Sequence, residues 1–525
     1  MPKTPMIPLG LKGLNTDVPS HALPMDFFTG GNNMRAHNGA LRGVNSFASE
    51  TNIVFTHTTT PSGIYAAVQF TPTGSTYYNI IALAKHGSGD TWRVKAFNQS
   101  GSATTTVTNG TDVTSNTLAY STTHKPSMFI FNECLVLNTG NGKPMYLPAQ
   151  GATLRNFEYD DEVSTMALLS EPLGWIHNVN GEAIYCSKLR PFGGRLVALS
   201  LFGANGTYNE RASVIFSSPV LSFPGLGSLK TLQWTATTEN SVADDIITET
   251  PGAVIDGGQL GSNFIVYKND CVLAYTEVNA EPYVVGRVIQ TDDGIIASDC
   301  WADIGNNQHI VFGNRGVYIH NGENQKQNVS KNKIQDALYN DLHEANKERC
   351  FLFRHERDKE TWICIPTNGS SEGCHKAYVY AEETDTWYTR DLENYTSIFT
   401  TELSGVVRIF ATQATSSSIQ ELHATNVVSG GTVEFSNNAI ETSAHTKTLT
   451  AMYPTADATM QAGMISTDKL GTAASITMKS FDPSSDHKID LRETGRYFDL
   501  KLQVPSTTDV NITGAEFEIK ARGKR

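Results

Sequence analysis

Two stretches of this chain align without a gap. Phe264-Ile-Val-Tyr-Lys-Asn-Asp-Cys-Val-Leu-Ala-Tyr275 and His309-Ile-Val-Phe-Gly-Asn-Arg-Gly-Val-Tyr-Ile-His320 lie 45 residues apart. Each spells a strand, a tight polar turn and a strand. Looser copies are Met128-Phe-Ile-Phe-Asn-Glu-Cys-Leu-Val-Leu137 and Arg190-Pro-Phe-Gly-Gly-Arg-Leu-Val-Ala-Leu199. A repeat of about 40–50 residues with roughly four short strands is what the blade of a β-propeller requires. Each blade covers its neighbour's apolar face, and closing the ring leaves no long edge open.

Composition agrees with an all-β chain. Of 525 residues 58 are Thr, 43 Gly and 19 Tyr, and only 18% are charged. Thr fits a pleated surface and is a poor helix former. Seven Asn-Gly pairs, starting at 38, 109, 141, 180, 205, 321 and 368, predict hairpin turns, because both residues accept positive φ. One stretch, 331–347, has helical spacing.

Three regions follow. Residues 1–45 carry five prolines and read as an extended N-terminal arm that runs over other parts, pairs only locally, and is expected to lie together with the C-terminal strands near 497–519. Residues 46–395 read as a propeller of five to seven blades, with an insertion expected within 100–250. Residues 396–525 keep alternating strands and read as a C-terminal β region, a last blade or a small β-sandwich. Asp90-Thr91-Trp92, Glu360-Thr361-Trp362 and Asp385-Thr386-Trp387 repeat an acid-Thr-Trp triplet. Their tryptophans are expected in blade cores, each stapling one blade to the next.

The chemistry-bearing motifs are missing. Ser88-Gly-Asp-Thr-Trp92 lacks the glycine between Asp and Thr that the Asp-box turn of sialidases carries. Cys350, Cys364, Cys374 and His375 form the one Cys/His grouping, without the spacing of a zinc site. The pairs Asp160-Asp161, Asp244-Asp245 and Asp292-Asp293 lack the alternating oxygen pattern of a calcium loop, and Gly225–Lys230 is too short for a phosphate loop. No catalytic, cofactor-binding or metal-ligating residue is assigned, and a non-enzymatic role without cofactor is expected. The net charge of −13 argues against a protein that grips nucleic acid through many phosphates. The seven cysteines are odd in number and sit in strand-like runs, as reduced thiols do. The first ten residues hold three prolines and no apolar leader core, and no run of apolar residues is long enough for a membrane span.

Four segments together resemble the tail nozzle proteins of short-tailed bacteriophages, also called tail stabilization or tail tubular proteins. They are Gly13-Leu14-Asn15-Thr16 through Asn32-Asn33-Met34-Arg35 to Asn38-Gly39-Ala40-Leu41; Gly313–Gly322 before a short helix; Lys376–Ala381 with Thr386-Trp387; and Gly495-Arg496-Tyr497-Phe498. Residues 100–250 match only in fragments. The resemblance implies a structural virion protein, made in the bacterial cytoplasm and placed in the tail. It implies a homo-hexameric tube below the adaptor ring, near tail fibres or spikes, that seals the genome and conducts double-stranded DNA. A conduit for a polyanion needs an acidic or neutral wall, which a negative net charge supplies. The alternative of another class is a glycan-binding or glycan-degrading β-propeller, and a plain interaction propeller is a third.

Overall fold

The two gap-free copies are the central hairpins of consecutive four-stranded antiparallel sheets. One sheet orders Val254–Leu260, Asn263–Lys268, Val272–Glu277 and Val284–Gln290; the next orders Trp301–Gly305, Gln308–Phe312, Val317–His320 and Lys326–Asn328. Register repeats with the sequence: Phe264 opposes Tyr275 and Tyr267 opposes Val272, as His309 opposes His320 and Phe312 opposes Val317. The turn bond from Lys268 N–H to the Cys271 carbonyl (3.0 Å) recurs from Gly313 to Gly316 (2.9 Å). Asn314 donates its side-chain amide to the carbonyl of Asn269, its counterpart 45 residues earlier, at 2.7 Å.

The computed structural model describes residues 2–54, 61–70, 78–86, 91–98, 111–112, 118–119, 124–131, 134–147, 155–156, 158–159, 174–176, 178–219, 232–235, 241–369, 372–403, 405–441, 444–471 and 475–522. Among these, the two sheets above are the fourth and fifth of a series. The first contains Pro61–Val68, Tyr78–His86 and Thr91–Asn98 with two short outer strands. The second starts at Ser127–Phe131 and the third at Ile184–Phe192. A seven-stranded sheet supplies the last two, joined by the 18-residue strand Thr386–Leu403. Its first half completes a sheet begun by Phe351–His355. Its second half opens another with Val406–Gln413, Ser418–Val427 and, as the final strand, Asn45–Val54 from the N-terminal region.

Both faces of these sheets are buried, because strand residues alternate between two apolar cores. In Tyr78–His86, Ile81 and Leu83 pack with Leu135 and Leu137 of the second sheet. Ile80, Ala82 and Ala84 pack with Phe399, Phe410 and Ile419 of the last. In the third sheet Leu196 and Ala198 face the second, and Val197 and Leu199 face the fourth. The last sheet therefore packs on the first. At that junction Gly63 leaves room for the Ala414 carbonyl, which lies 2.1 Å from where a Cβ would stand. The arrangement is propeller-like.

The N-terminal arm does not pair locally alone. Gly30–Asn32 joins a sheet with Thr432–Asn438, Tyr497–Gln503, Met460–Thr467 and Lys479–Phe481. Met34–His37, Ala40–Gly43 and Ile7–Pro8 join a second sheet with Ile512–Ala521, Lys447–Ala456 and Ile489–Gly495. The two sheets form a sandwich woven from both ends of the chain, and Leu9, Leu14, Met25, Phe28, Met34 and Leu41 are buried in it or beneath it. The expected boundary at 395/396 falls inside one continuous strand, whose 18 residues contain neither Gly nor Pro to mark a turn. The C-terminal share of the sandwich begins at Thr432.

Other expectations resolve unevenly. The stretch 331–347 holds one helix, Gln335–Asp341, followed by the 3-10 turn Glu344–Arg349. Of the Asn-Gly pairs, Asn38-Gly39 and Asn180-Gly181 have positive φ at both residues; the pairs at 141, 205, 321 and 368 sit in other turns, and the pair at 109 lies outside the described residues. The looser copies Met128–Leu137 and Arg190–Leu199 occupy first and second strands rather than second and third. Trp362 and Trp387 are 1% exposed but share one sheet, so the triplet does not mark successive blades. Each still reaches beyond that sheet. Trp387 donates its indole N–H to the Val329 carbonyl at 3.0 Å, and Trp362 meets Phe47 edge-on. Within 100–250, where an insertion is expected, the described residues include the second and third sheets, and the stretches 99–123, 148–173 and 220–240 lie mostly outside the described residues.

Candidate functional site

The first strands of successive sheets meet around a cavity of about 240 Å³. Tyr65, Lys125, Ser127, Arg190, Asp299 and Glu372 are among its lining residues. Its floor is a charged network. Arg190 is bidentate to Asp256 (2.8 and 2.7 Å) and reaches Asp299 at 2.5 Å. Lys188 donates to Asp299 at 2.9 Å and to the Lys125 carbonyl at 3.1 Å. Asp256 also accepts from the Asp299 backbone N–H and from the Trp301 indole. The Lys125 ammonium is held by the carbonyls of Ser298 and Cys350, and Leu352 N–H donates to the Asp299 carbonyl. One network thus ties together the entries of the second to sixth sheets.

Electrostatics hold the Asp299 carboxylate in its charged form. Burial opposes the Asp299 carboxylate, but Lys188, Arg190 and Lys125 outweigh it and hold its pKa far below the usual range. Burial lowers the Lys188 pKa, with Asp299 opposing that shift. Asp256 has no exposed surface. Removing one member of such a set leaves a buried charge uncompensated, which costs about 3–5 kcal/mol. At the rim, Tyr65 donates its hydroxyl to the Glu372 carboxylate and Lys85 pairs with the same carboxylate at 3.2 Å. Tyr65 meets Trp92 edge-on, with centroids 5.2 Å apart. His124 stacks on Phe202, and burial first, then Arg211 and Lys188, push its pKa down to about 4.

Sequence reasoning missed Lys188, Arg190, Asp256 and Asp299. The available signal is a charge inside a largely apolar strand, as at Lys188, Arg190 and Asp256: a buried charge needs a partner. Asp299, outside any strand, carries no such signal.

Of the groups weighed in the sequence, Trp92 lines this cavity; the side chains of the cysteines and the described acidic pairs do not. Cys364 and Cys374 are fully buried, and burial pushes their thiols up, which keeps them protonated and poor as ligands or nucleophiles. All seven cysteines are free. Asp245 accepts from the Tyr275 hydroxyl at 2.7 Å, Asp292 pairs with Lys326 at 2.7 Å, and Asp293 caps the backbone N–H groups of Gly294 and Asn314. Asp160-Asp161, Gly225–Lys230 and most of 88–92 lie outside the described residues. Among the described residues one His/Asp/Glu group, His355, Asp358 and Glu360, is close enough to share a cation. The Arg35 guanidinium already bridges Asp358 (2.8 Å) and Glu360 (2.7 Å), so this cluster is an ion-pair anchor for the arm.

A second polar cluster carries the repeat itself. Tyr267 places its hydroxyl 2.7 Å from His309 Nδ1 and 2.9 Å from His320 Nε2. Gly322 N–H donates to His320 Nδ1, and His309 Nε2 lies 2.9 Å from the Gln259 carbonyl. Each ring nitrogen is satisfied when both imidazoles are neutral. Burial agrees, pushing His309 down to about 4 and His320 to about 3.

No helix among the described residues is long and apolar enough to cross a membrane. No protein-family description matches the chain, and no curated protein matches it. Solved structures align only distantly. The apocarotenoid oxygenase of Synechocystis is 9% identical over 74% of this chain and 88% of its own, with a TM-score of 0.33. AztD from Citrobacter koseri is 7% identical over 91% and 98%, with a TM-score of 0.35. The extracellular domain of BT3049 from B. thetaiotaomicron is 10% identical over 71% and 45%, with a TM-score of 0.33. Likenesses at this level carry no argument about fold or chemistry.

Proposed function

We propose that this chain is a seven-bladed β-propeller with a woven sandwich, acting as a structural subunit of a hexameric tail nozzle of a short-tailed phage. One observation carries the reading. Three of the segments that resemble the nozzle family, far apart in sequence, meet at a single seam. Leu14 N–H donates to the Trp387 carbonyl at 2.7 Å. Gly13, at φ +80°, sits where a Cβ would stand 2.7 Å from that same carbonyl. Asn33 N–H donates to the Thr389 carbonyl, and Asn33 exchanges side-chain and backbone bonds with Asp391. Asp17 accepts from the backbone N–H groups of Gln335 and Asp336 on the helix that follows Gly313–Gly322. Lys376 pairs with Asp341 at the end of that helix, at 2.7 Å. Residues that build one joint are a coherent signature, whereas scattered chance matches share no contact.

The cavity supports the same reading. Paired charges tie the first strands of several sheets together across the cavity, so on this reading duplex DNA does not pass through a single chain. The bore is formed between subunits and is lined by Asp, Glu, Asn, Ser and Thr. The chain acts without catalysis or cofactor, touches the adaptor ring and tail fibres or spikes, and belongs to the virion tail after assembly in the bacterial cytoplasm. Mass photometry of the full-length protein tests this: a hexamer that persists on dilution is expected. A monomer that releases reducing sugar from bacterial surface polysaccharide favours the glycan-degrading alternative.

A further inference from the structure

The Asn-Gly pairs are reactive as well as turn-forming. Asparagine is thermally labile, and a following glycine, without a Cβ, lets its backbone nitrogen approach the asparagine carboxamide closely. That nitrogen attacks Cγ. An N–Cγ bond forms, the bond from Cγ to the carboxamide nitrogen breaks, and ammonia leaves. Water then opens the five-membered imide at either carbonyl. The product is aspartate or isoaspartate, and one water is taken up for each ammonia released. A fold obstructs this closure by bonding the glycine N–H, by occupying the carboxamide, or by holding the backbone away from the geometry of attack.

Most of the described pairs are obstructed. Gly206 N–H donates to the Gly203 carbonyl at 3.1 Å. Gly322 N–H donates to His320 Nδ1, and the Asn321 carboxamide oxygen accepts from Glu323 N–H, both at 3.2 Å. Asn38 and Asn180 are held left-handed in two-residue hairpin turns. One turn is closed by the pairing of His37 with Ala40, the other by reciprocal bonds between Val179 and Glu182 at 3.0 and 2.9 Å. The peptide between Asn368 and Gly369 is tied through its carbonyl, which accepts from the Asn346 side-chain amide at 3.2 Å.

Asn141-Gly142 differs in each respect. It tips the turn between Cys134–Asn138 and Met145–Leu147. The base of that turn is fixed: Asn138 donates its side-chain amide to the Cys186 carbonyl at 3.2 Å and accepts from Gly140 N–H at 3.1 Å. The tip is free. Asn141 is exposed, and neither residue is left-handed. Among the described residues nothing bonds the Asn141 side chain or the Gly142 N–H. A Cβ on Gly142 would meet only the Thr139 hydroxyl, at 4.0 Å, so the space around the attacking nitrogen is open. We propose that Asn141 is a site of spontaneous modification in the folded protein, converting to aspartate and isoaspartate ahead of the other described Asn-Gly pairs. Each conversion adds a negative charge to this turn of the second sheet. The inference is independent of the hexameric nozzle reading.

Peptide mapping of the full-length protein, aged in mildly alkaline buffer both folded and in urea, tests it. In urea the pairs should react at rates set by local sequence alone. In the folded protein Asn141 should stay within about threefold of its urea rate, and the others should slow by about tenfold or more, because each turn must open first. Gly142→Ala fits the available space, so the melting temperature should not change, yet the added Cβ should slow conversion at 141 by about tenfold or more. Recovery of both aspartate and isoaspartate at 141 identifies the imide route. Aspartate alone, protection of Asn141 equal to that of Asn180, or a Gly142→Ala chain that converts as fast as its parent would overturn the proposal.

Discussion

The two halves of the ring are built differently. The first three sheets pack through separate apolar cores, one per junction, and another joins the third to the fourth. From the fourth sheet to the last, the junctions merge with the sandwich into one continuous core, which runs from Ile265 and Phe312 through Trp362 and Trp387 to Leu449 and Phe517. The same sheet design serves both halves, but both chain ends reinforce only the second. A ring needs every junction, yet it needs a brace at only some of them. The braced half should unfold as one unit and the other sheet by sheet.

Removing residues 2–43 strikes the brace hardest. It takes strands from both sandwich sheets and the final contact of Arg35. We expect loss of cooperative unfolding and rapid proteolysis of 432–521, measured by circular dichroism and limited digestion. A truncated chain that keeps a protected sandwich would break the comparison.

Trp387→Ala and Trp92→Ala sharpen it. Each deletes a tryptophan that is 1% exposed, and each should cost about 3–5 kcal/mol. The reach should differ. Hydrogen exchange should rise for Trp387→Ala across the sixth and last sheets and the sandwich, and for Trp92→Ala only in the first two sheets. Equal spread for both variants would contradict separate cores.

Arg35→Met tests the anchor. Glu360 is 3% exposed and also accepts from the Tyr388 hydroxyl at 2.7 Å. Leaving it and Asp358 without the guanidinium should cost about 3 kcal/mol or slightly more, read as a lower urea midpoint with unchanged slope. A loss below about 1 kcal/mol would place this pair among surface bridges.

The smallest effect is a pH slope. His309 and His320 are pushed down to about 4 and about 3 in the fold, whereas unfolded imidazoles titrate near 6.5. The unfolded chain therefore binds more protons between these values. Their contribution to stability is complete above pH 6.5 and declines as pH falls toward the folded values. At pH 5 the loss should be about 2 kcal/mol per imidazole. His309→Phe should flatten the slope, whatever its effect at pH 7, and an unchanged slope would show that the imidazoles do not titrate this way.

How far the sequence is legible follows the same division. The braced fourth and fifth sheets have short connections, and there a 45-residue offset in sequence equals an offset in register, down to Asn269 touching Asn314. In the second and third sheets the similar stretches Met128–Leu137 and Arg190–Leu199 are other strands of the blade, because apolar strand pairs around a polar turn look alike wherever they sit. The arm was legible as extended, and its company with the C-terminal strands near 497–519 was legible because both flank the propeller; the register, Ile7 against Ala515, was not, since nothing local encodes it. The strand Thr386–Leu403 hid a sheet boundary because one unbroken run serves two sheets. The charges of this network escaped notice since Lys188 and Arg190 sit in one strand, Asp256 in another and Asp299 ahead of a third, and they meet only when the sheets come together.

A single-particle map of the full-length protein measures the central claim most directly. The account predicts a six-fold tube in which each subunit shows seven blades, a closed axis at Arg190 and Asp299, and a bore between subunits faced by acidic and neutral polar residues. A monomer with an open propeller axis, or a bore ringed with arginines, would contradict it.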